Sequence, residues 1–252
     1  MIYGDYHTHT TYSHGKGSVE DNVRAAIAAG LKEVAITDHG PRHLLAGVKL
    51  RRLPDFFADI ERMREKYPEI RIYAGMETNF LSPRGETDVP KEYADKLDVI
   101  ICGYHKGIRP LKMRDVPFFA GNLFFKNSAK TLARNTDAYV NAILNNDIDI
   151  ISHPCHDCRI DLKAVGEAAA ARGTLMELNG KRVSMTEDEL VMLASLGCRF
   201  ILDSDAHTPE KVGDVGIERG VWQRSGLPDE LIVNLTGAPH FMRGGYRGKN
   251  GG

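Results

Sequence analysis

The chain has 252 residues, 42% of them hydrophobic and 27% charged, the composition of a folded globular protein, which excludes wholesale disorder. Lys and Arg number 33 against 34 Asp and Glu, a net charge of −1, so no global field draws the chain to nucleic acid or to an anionic membrane. No apolar run approaches the roughly 18 residues of a membrane span, the start MIYGDYHTH lacks the features of a secretory signal, and the cysteines are only four; the expectation is a cytoplasmic, reduced protein without structural disulfides.

Short apolar runs alternate with helical patterns along the chain. Residues 3–7 read as a first strand, followed by a helix that Ser18 and Asp21 open as a capping box. Val23, Ile27 and Leu31 share one face of it, and Gly30 is placed to end it. A second strand at 33–37 precedes a helix over 53–67, which carries Phe56, Phe57, Ile60 and Met63 and stops at Pro68. Strands at 71–76 and 99–102 follow; the stretches 78–97 and 106–126 are long connections, expected to be loops flanking a site. A helix over 127–146 turns Leu132, Val140, Ile143 and Leu144 inward. Strands at 148–152, 174–178 and 199–202 complete the series, with a capping box from Thr186 to Glu189 ahead of Leu190 and Leu193 and Gly197 behind them. The glycine-rich end, 243–252, is expected to fray. Crossover helices between strands imply parallel pairing, so the class is α/β, as an open doubly wound sheet or a closed barrel in one domain over 1–252.

Position sets the histidines apart. His7 and His9 sit where the first strand runs out, and His39 follows the second in Thr37-Asp38-His39. Glu77 follows the third, His105 the fourth, His153 the fifth, and Asp205 with His207 the seventh. In parallel α/β folds, loops at the carboxyl ends of strands gather on one face. Residues i and i+2 of a strand point the same way, so His7-x-His9 and Asp205-x-His207 can each grip one ion. With His14 from a glycine-bearing loop, these nitrogen and oxygen donors exceed one four-coordinate ion and suit three, one carboxylate being shared. A Ser204, His207, Asp205 triad could be drawn from the same residues, but the crowd of other histidines makes metal chemistry the more economical account. His43 and His240 stand outside any motif and read as surface or neighbouring residues. Cys155 and Cys158 form a Cys-x-x-Cys that reads as ordinary thiols rather than a zinc or redox site, with His156 near the centre but not on a metal. Asp5 and Asp38 either orient imidazoles or cap strand ends.

Taken together, His7-Thr8-His9-Thr10, Thr37-Asp38-His39, Glu77, His105, His153-Pro154 and Ser204-Asp205-Ala206-His207 resemble the PHP family, the polymerase and histidinol phosphatase superfamily. The resemblance runs from the first strand to about Gly216. It implies a distorted (β/α)7 TIM-like barrel holding three divalent transition-metal ions, Zn, Mn or Fe. Carried over by position, His7, His9, Glu77 and Asp205 would bind the first ion and His14, His39 and His207 the second. Glu77, His105 and His153 would bind the third, with Glu77 bridging. The likeness is greatest to stand-alone phosphoesterases and implies hydrolysis of a small phosphorylated metabolite, a histidinol-phosphate-like monoester, by a bridging hydroxide. Asp205 or a metal-bound water would give the leaving alkoxide its proton. Arg159 and Arg182 are the candidates for the substrate phosphate, with Lys181, Lys106 and Arg109 as further cations. The rival readings are a phosphodiesterase or nuclease on the same site and a non-catalytic metal-binding module. The balanced charge speaks against the first and the full ligand set against the second.

Overall fold

The computed structural model describes residues 1–182 and 184–243. Seven strands form one sheet, each parallel to its neighbour in sequence order: β1 (Gly4–Asp5), β2 (Glu33–Ile36), β3 (Arg71–Asn79), β4 (Val99–Gly103), β5 (Ile150–Ile151), β6 (Leu175–Asn179) and β7 (Phe200–Asp203). The sheet closes on itself beyond the ends of β1 and β7. There His9 N–H donates to the Ala206 carbonyl at 2.8 Å and Ala206 N–H to the His7 carbonyl at 3.2 Å. A side chain extends this seam, Tyr6 N–H donating to Asp203 Oδ1 at 2.7 Å. The result is the distorted (β/α)7 TIM-like barrel, with this seam beside the candidate ligands.

The helices are α1 (Val19–Ala28), α2 (Leu53–Lys66), α3 (Val116–Phe124), α4 (Ala129–Asn145), α5 (Leu162–Arg172), α6 (Glu187–Ser195), α7 (Gly216–Ser225) and α8 (Val233–Thr236). Reciprocal capping boxes open α1 at Ser18 and Asp21 and α6 at Thr186 and Glu189, as their spacing predicts. Gly30 follows α1 at φ 76°, a conformation that only glycine adopts without strain. Phe56, Phe57, Ile60 and Met63 of α2 are buried. On α4 Ile143 is buried as expected, but Leu144 is 47% exposed, and Ala138, Tyr139 and Ala142 complete the buried face. Within 106–126 the chain forms α3 rather than a loop. That helix buries only Phe118, Gly121 and Asn122, too narrow a face to show as a periodic pattern. Of the end expected to fray, Arg243 donates to the Ala94 carbonyl at 2.8 Å, and 244–252 lie outside the described residues.

Alternation along the strands sorts the core into two layers. Ile72, Ala74, Met76, Ile100, Cys102, Met176, Leu178, Phe200 and Leu202 face the helices. Tyr73, Val99, Ile101, Ile150, Leu175 and Ile201 fill the barrel with Tyr6 and Ala35. Phe241, arriving from beyond α8, plugs the lower end against Tyr6 and Tyr73, with ring centroids at 5.2 and 5.7 Å. Further up the same inward columns the residues turn polar: Tyr73 leads to Gly75, Glu77 and Asn79, Leu175 to Glu177 and Asn179, and Ile201 to Asp203 and Asp205.

Candidate metal centre

Glu77 ends its column at the middle of the upper barrel, 1% exposed. Its Oε2 lies 3.2 Å from His7 Nε2, 3.4 Å from His9 Nε2 and 2.9 Å from His39 Nδ1. Its Oε1 lies 3.1 Å from His105 Nε2 and 2.9 Å from His153 Nε2. Asp205 Oδ1 is 3.3 Å from both His9 Nε2 and His207 Nδ1. The His14 ring stands 4.3 Å from that of His207 and 4.9 Å from that of His39. The fold thus gathers all the donors that the sequence singled out, though β3 extends to Asn79, so Glu77 sits within its strand rather than after it.

Atoms this close normally share a proton. Yet His9 Nδ1, His39 Nδ1, Glu77 Oε2 and His105 Nε2 are buried without a hydrogen-bond partner among the described residues, an expensive state for polar atoms unless a cation takes up their lone pairs. Three sets of donor atoms lie within 4.8 Å of one another: His7, His9, Glu77; His9, His39, His207; and His39, Glu77, His105. Imidazole with carboxylate is a donor set suited to Zn, Mn or Fe, so these residues fit the metals that the resemblance implies. These sets are not the expected partition: Asp205 is absent from the first, His9 stands in place of His14 beside His39 and His207, and His39 in place of His153 beside Glu77 and His105. His39 leans onto Glu77 as well as toward His14 and His207, joining the second set to the third.

Burial opposes ionisation of Glu77, but the facing His105, His7 and His39 hold its carboxyl well below the usual range. Asp205 is likewise lowered against burial, chiefly by His7 and His9. For His7 the carboxylates Glu77, Glu177 and Asp205 outweigh burial and raise its pKa. Burial and neighbouring rings push His39 down to about 3 and His14 to about 4, leaving neutral imidazoles, the form that binds metals.

A second layer of carboxylate and amide groups aims the rings, and sequence reasoning missed it. Glu177 Oε1 sits 2.5 Å from His7 Nδ1, and its Oε2 accepts from His153 N–H at 2.6 Å. Asn79 Oδ1 sits 2.8 Å from His105 Nδ1, and Asp88 in turn accepts from Asn79 Nδ2 at 2.8 Å. In both histidines Nδ1 is engaged and Nε2 is left to face Glu77. The available signal was the inward register of Leu175-x-Glu177-x-Asn179. Asp5 and Asp38 do not orient imidazoles: Asp5 accepts from the Ser204 and Gly213 N–H groups and Asp38 from those of Thr10 and Ser13, the capping alternative. His153 at φ 29° and Asp205 at φ 51° hold left-handed backbone that non-glycine residues seldom adopt, a strain concentrated at this site.

Above the donors opens a cavity of about 150 Å³, lined by seven of the nine candidates, by His43, His156 and Asp157, and by Lys181 and Arg182. Lys181 Nζ is 3.1 Å from Asp205 Oδ1 and also contacts His207 Nδ1. Arg159 does not reach the cavity: it is exposed, with Nη1 3.5 Å from Asn127 Oδ1. Lys106 is engaged by Asp157 at 2.7 Å, and Arg109 lines a different surface hollow. His156 borders the cavity without joining a donor set, and His240 is exposed elsewhere. Burial pushes the Cys155 thiol up to about 12 and also raises that of Cys158, so neither is a ready thiolate.

The model of the PHP domain matches residues 5–183. A probable phosphatase of Caldanaerobacter subterraneus is 30% identical over 242 residues, covering 92% of this chain and 87% of that relative. One of Thermoanaerobacter sp. (strain X514) is 29% identical over 245 residues, covering 91% and 89%. Among solved structures, the histidinol phosphate phosphatase of Lactococcus lactis, complexed with zinc, L-histidinol and phosphate, superposes with a TM-score of 0.59 at 18% identity, over 90% of this chain and 95% of that one. The putative histidinol phosphatase of Listeria monocytogenes gives 0.58 at 18%, over 83% and 97%. These two share the barrel. No helix among the described residues is long and apolar enough to cross a membrane.

Proposed function

The chain belongs to the PHP domain family and is a metal-dependent phosphatase; from that premise we propose that it hydrolyses a small phosphate monoester at a centre for three ions. The observation that carries this reading is the cluster of imidazole and carboxylate atoms facing one another, four of them buried without a hydrogen-bond partner among the described residues, beneath a small cavity bordered by Lys181 and Arg182.

In this reading His7, His9, Glu77 and Asp205 hold one divalent ion, His14, His39 and His207 a second, and Glu77, His105 and His153 a third. Bound there, such ions acidify water and neutralise phosphoryl oxygens. The protein's own side chains do the rest. Glu77 supplies negative charge to both halves of the centre, and Glu177 and Asn79 keep two of the rings aimed at it. Lys181 and Arg182 hold the terminal phosphate oxygens, the guanidinium through paired N–H groups. Asp205, 3.1 Å from the Lys181 ammonium, is the carboxylate through which a proton can reach the departing oxygen from that side. A cavity of about 150 Å³ lined by these side chains can take a small phosphate ester.

The deciding experiment is a panel of phosphorylated metabolites, L-histidinol phosphate among them, run on protein refilled with Mn, Zn or Fe. Turnover of at least one monoester is expected. Turnover of none, with all metals, would overturn the proposal.

A further inference from the structure

We infer that His43 is a further catalytic residue, donating a hydrogen bond from Nε2 to the leaving-group oxygen of the ester; this rests on the monoester reading above. His43 borders the cavity but belongs to none of the donor sets. Its ring lies 5.2 Å from that of His39 and 6.0 Å from that of His105, at the edge of the cluster.

Its tautomer is written into the backbone. Ala46 N–H donates to His43 Nδ1 at 3.1 Å. A ring nitrogen that accepts has no proton, so in the neutral ring the proton sits on Nε2, at the opposite corner. Protonating Nδ1 would break that bond inside a turn where Ala46 is buried. His43 is therefore a neutral donor of fixed direction.

The turn that presents it is tightly held. His43 N–H reaches the Gly40 carbonyl at 3.3 Å, Gly47 N–H the His43 carbonyl at 3.0 Å and Leu44 N–H the Gly107 carbonyl at 3.0 Å. A Cβ on Gly47 would fall 2.6 Å from the Gly40 and His43 carbonyl oxygens, so only glycine lets these strands of the turn meet.

Its place in the barrel matches the role. His43 follows β2, whereas Lys181 and Arg182 follow β6, three strands away round a ring of seven. The cations and the neutral donor therefore border the cavity from opposite sides. In-line displacement puts the attacking oxygen on the deep side, toward Glu77, and the leaving oxygen toward the mouth, where His43 is half-buried. As the ester P–O bond breaks, its electron pair passes to the leaving oxygen, and the Nε2–H bond offsets that charge without giving up the proton. Water supplies the oxygen that joins phosphorus and, in net balance, the proton that completes the alcohol.

The test compares His43→Ala with wild type on an alkyl ester, glycerol 2-phosphate, and on p-nitrophenyl phosphate, whose leaving group needs little help. Losing one donor to a developing oxyanion should lower kcat/KM about 100-fold for the alkyl ester and less than about 5-fold for the aryl ester, with metal content per chain unchanged. Equal losses on both esters, or loss of metal, would overturn the role of His43. A second readout needs neither variant nor turnover: ¹⁵N correlation spectra of the metal-free protein should show the Nε2–H tautomer of His43, and an Nδ1–H tautomer overturns the inference. Absence of any monoester turnover by the metal-loaded wild type instead overturns the reading on which it rests.

Discussion

His7 Nδ1 and Glu177 Oε1 lie 2.5 Å apart, with both side chains wholly buried. The contact fixes a proton on Nδ1 and so turns Nε2 toward Glu77 and Asp205. The other oxygen of the same carboxylate accepts the backbone N–H of His153, whose φ is 29°. One side chain from β6 thereby sets a ring that follows β1 and braces the strained turn that follows β5.

Replacing Glu177 by Gln should therefore loosen the metals without adding or removing a ligand. Gln has a single acceptor oxygen and cannot serve both His7 Nδ1–H and His153 N–H. Chelator competition should find metal retention weakened by about 10–100-fold, the usual cost of losing such an outer partner. Retention equal to wild type would show that Glu177 does not position His7.

Metal analysis of protein purified in supplemented medium should give more than one transition ion per chain, lost on chelation together with activity. The three donor sets within 4.8 Å share His9, His39 and Glu77, an arrangement made for several ions rather than one. One ion or none would sink it.

Glu77→Gln should abolish activity, whereas Cys155→Ser should change it by less than about twofold, since substitutions away from a site usually leave it intact. Glutamine keeps the shape of Glu77 but not the charge that faces five imidazoles within 3.4 Å. Cys155 is a half-buried thiol outside the donor sets. An inactive serine variant would reopen the Cys-x-x-Cys as a functional pair.

What could be read in the sequence follows from where each signal lies. The donors were legible because each stands at or just after a short apolar run, and a parallel barrel brings such points together. Strand lengths were less so: β1 and β5 shrink to Gly4–Asp5 and Ile150–Ile151, because their ends are taken up by side-chain bonds at the seam and by the turn at His153. Glu177 was invisible as a partner of His7 because 170 residues separate them, and a lone Glu in a strand signals nothing until the inward register is known. The plug at Phe241 was hidden for the same reason: nothing in Ala238-Pro239-His240 announces a residue that closes a barrel.

That plug should matter for stability. Phe241 is 1% exposed and meets Tyr6 and Tyr73 edge-on, and its removal leaves a cavity between strands that cannot collapse. Phe241→Ala should destabilise the chain by about 3–5 kcal/mol, read as a lower urea midpoint at an unchanged slope. A midpoint within error of wild type would mean that the segment after α8 is dispensable to the barrel.

The last prediction concerns the type of ester. A centre for three ions can hold a terminal phosphate through several oxygens, which favours a dianionic monoester over a monoanionic diester. The net charge of −1 offers none of the long-range attraction that polymeric nucleic acid exploits. At least one small monoester should thus show a higher kcat/KM than any oligonucleotide or bis-p-nitrophenyl phosphate. Arg182 borders the cavity and Arg159 does not. Arg182→Ala should accordingly raise KM for the monoester about tenfold, the scale of one lost charge-assisted hydrogen bond, with metal content unchanged, while Arg159→Ala leaves KM where it was. If diesters turn over faster in the Mn, Zn and Fe forms alike, the monoester proposal gives way to a nuclease acting on the same centre. If Arg159→Ala is the variant that raises KM, the phosphate enters from the side of the His153 loop rather than from β6.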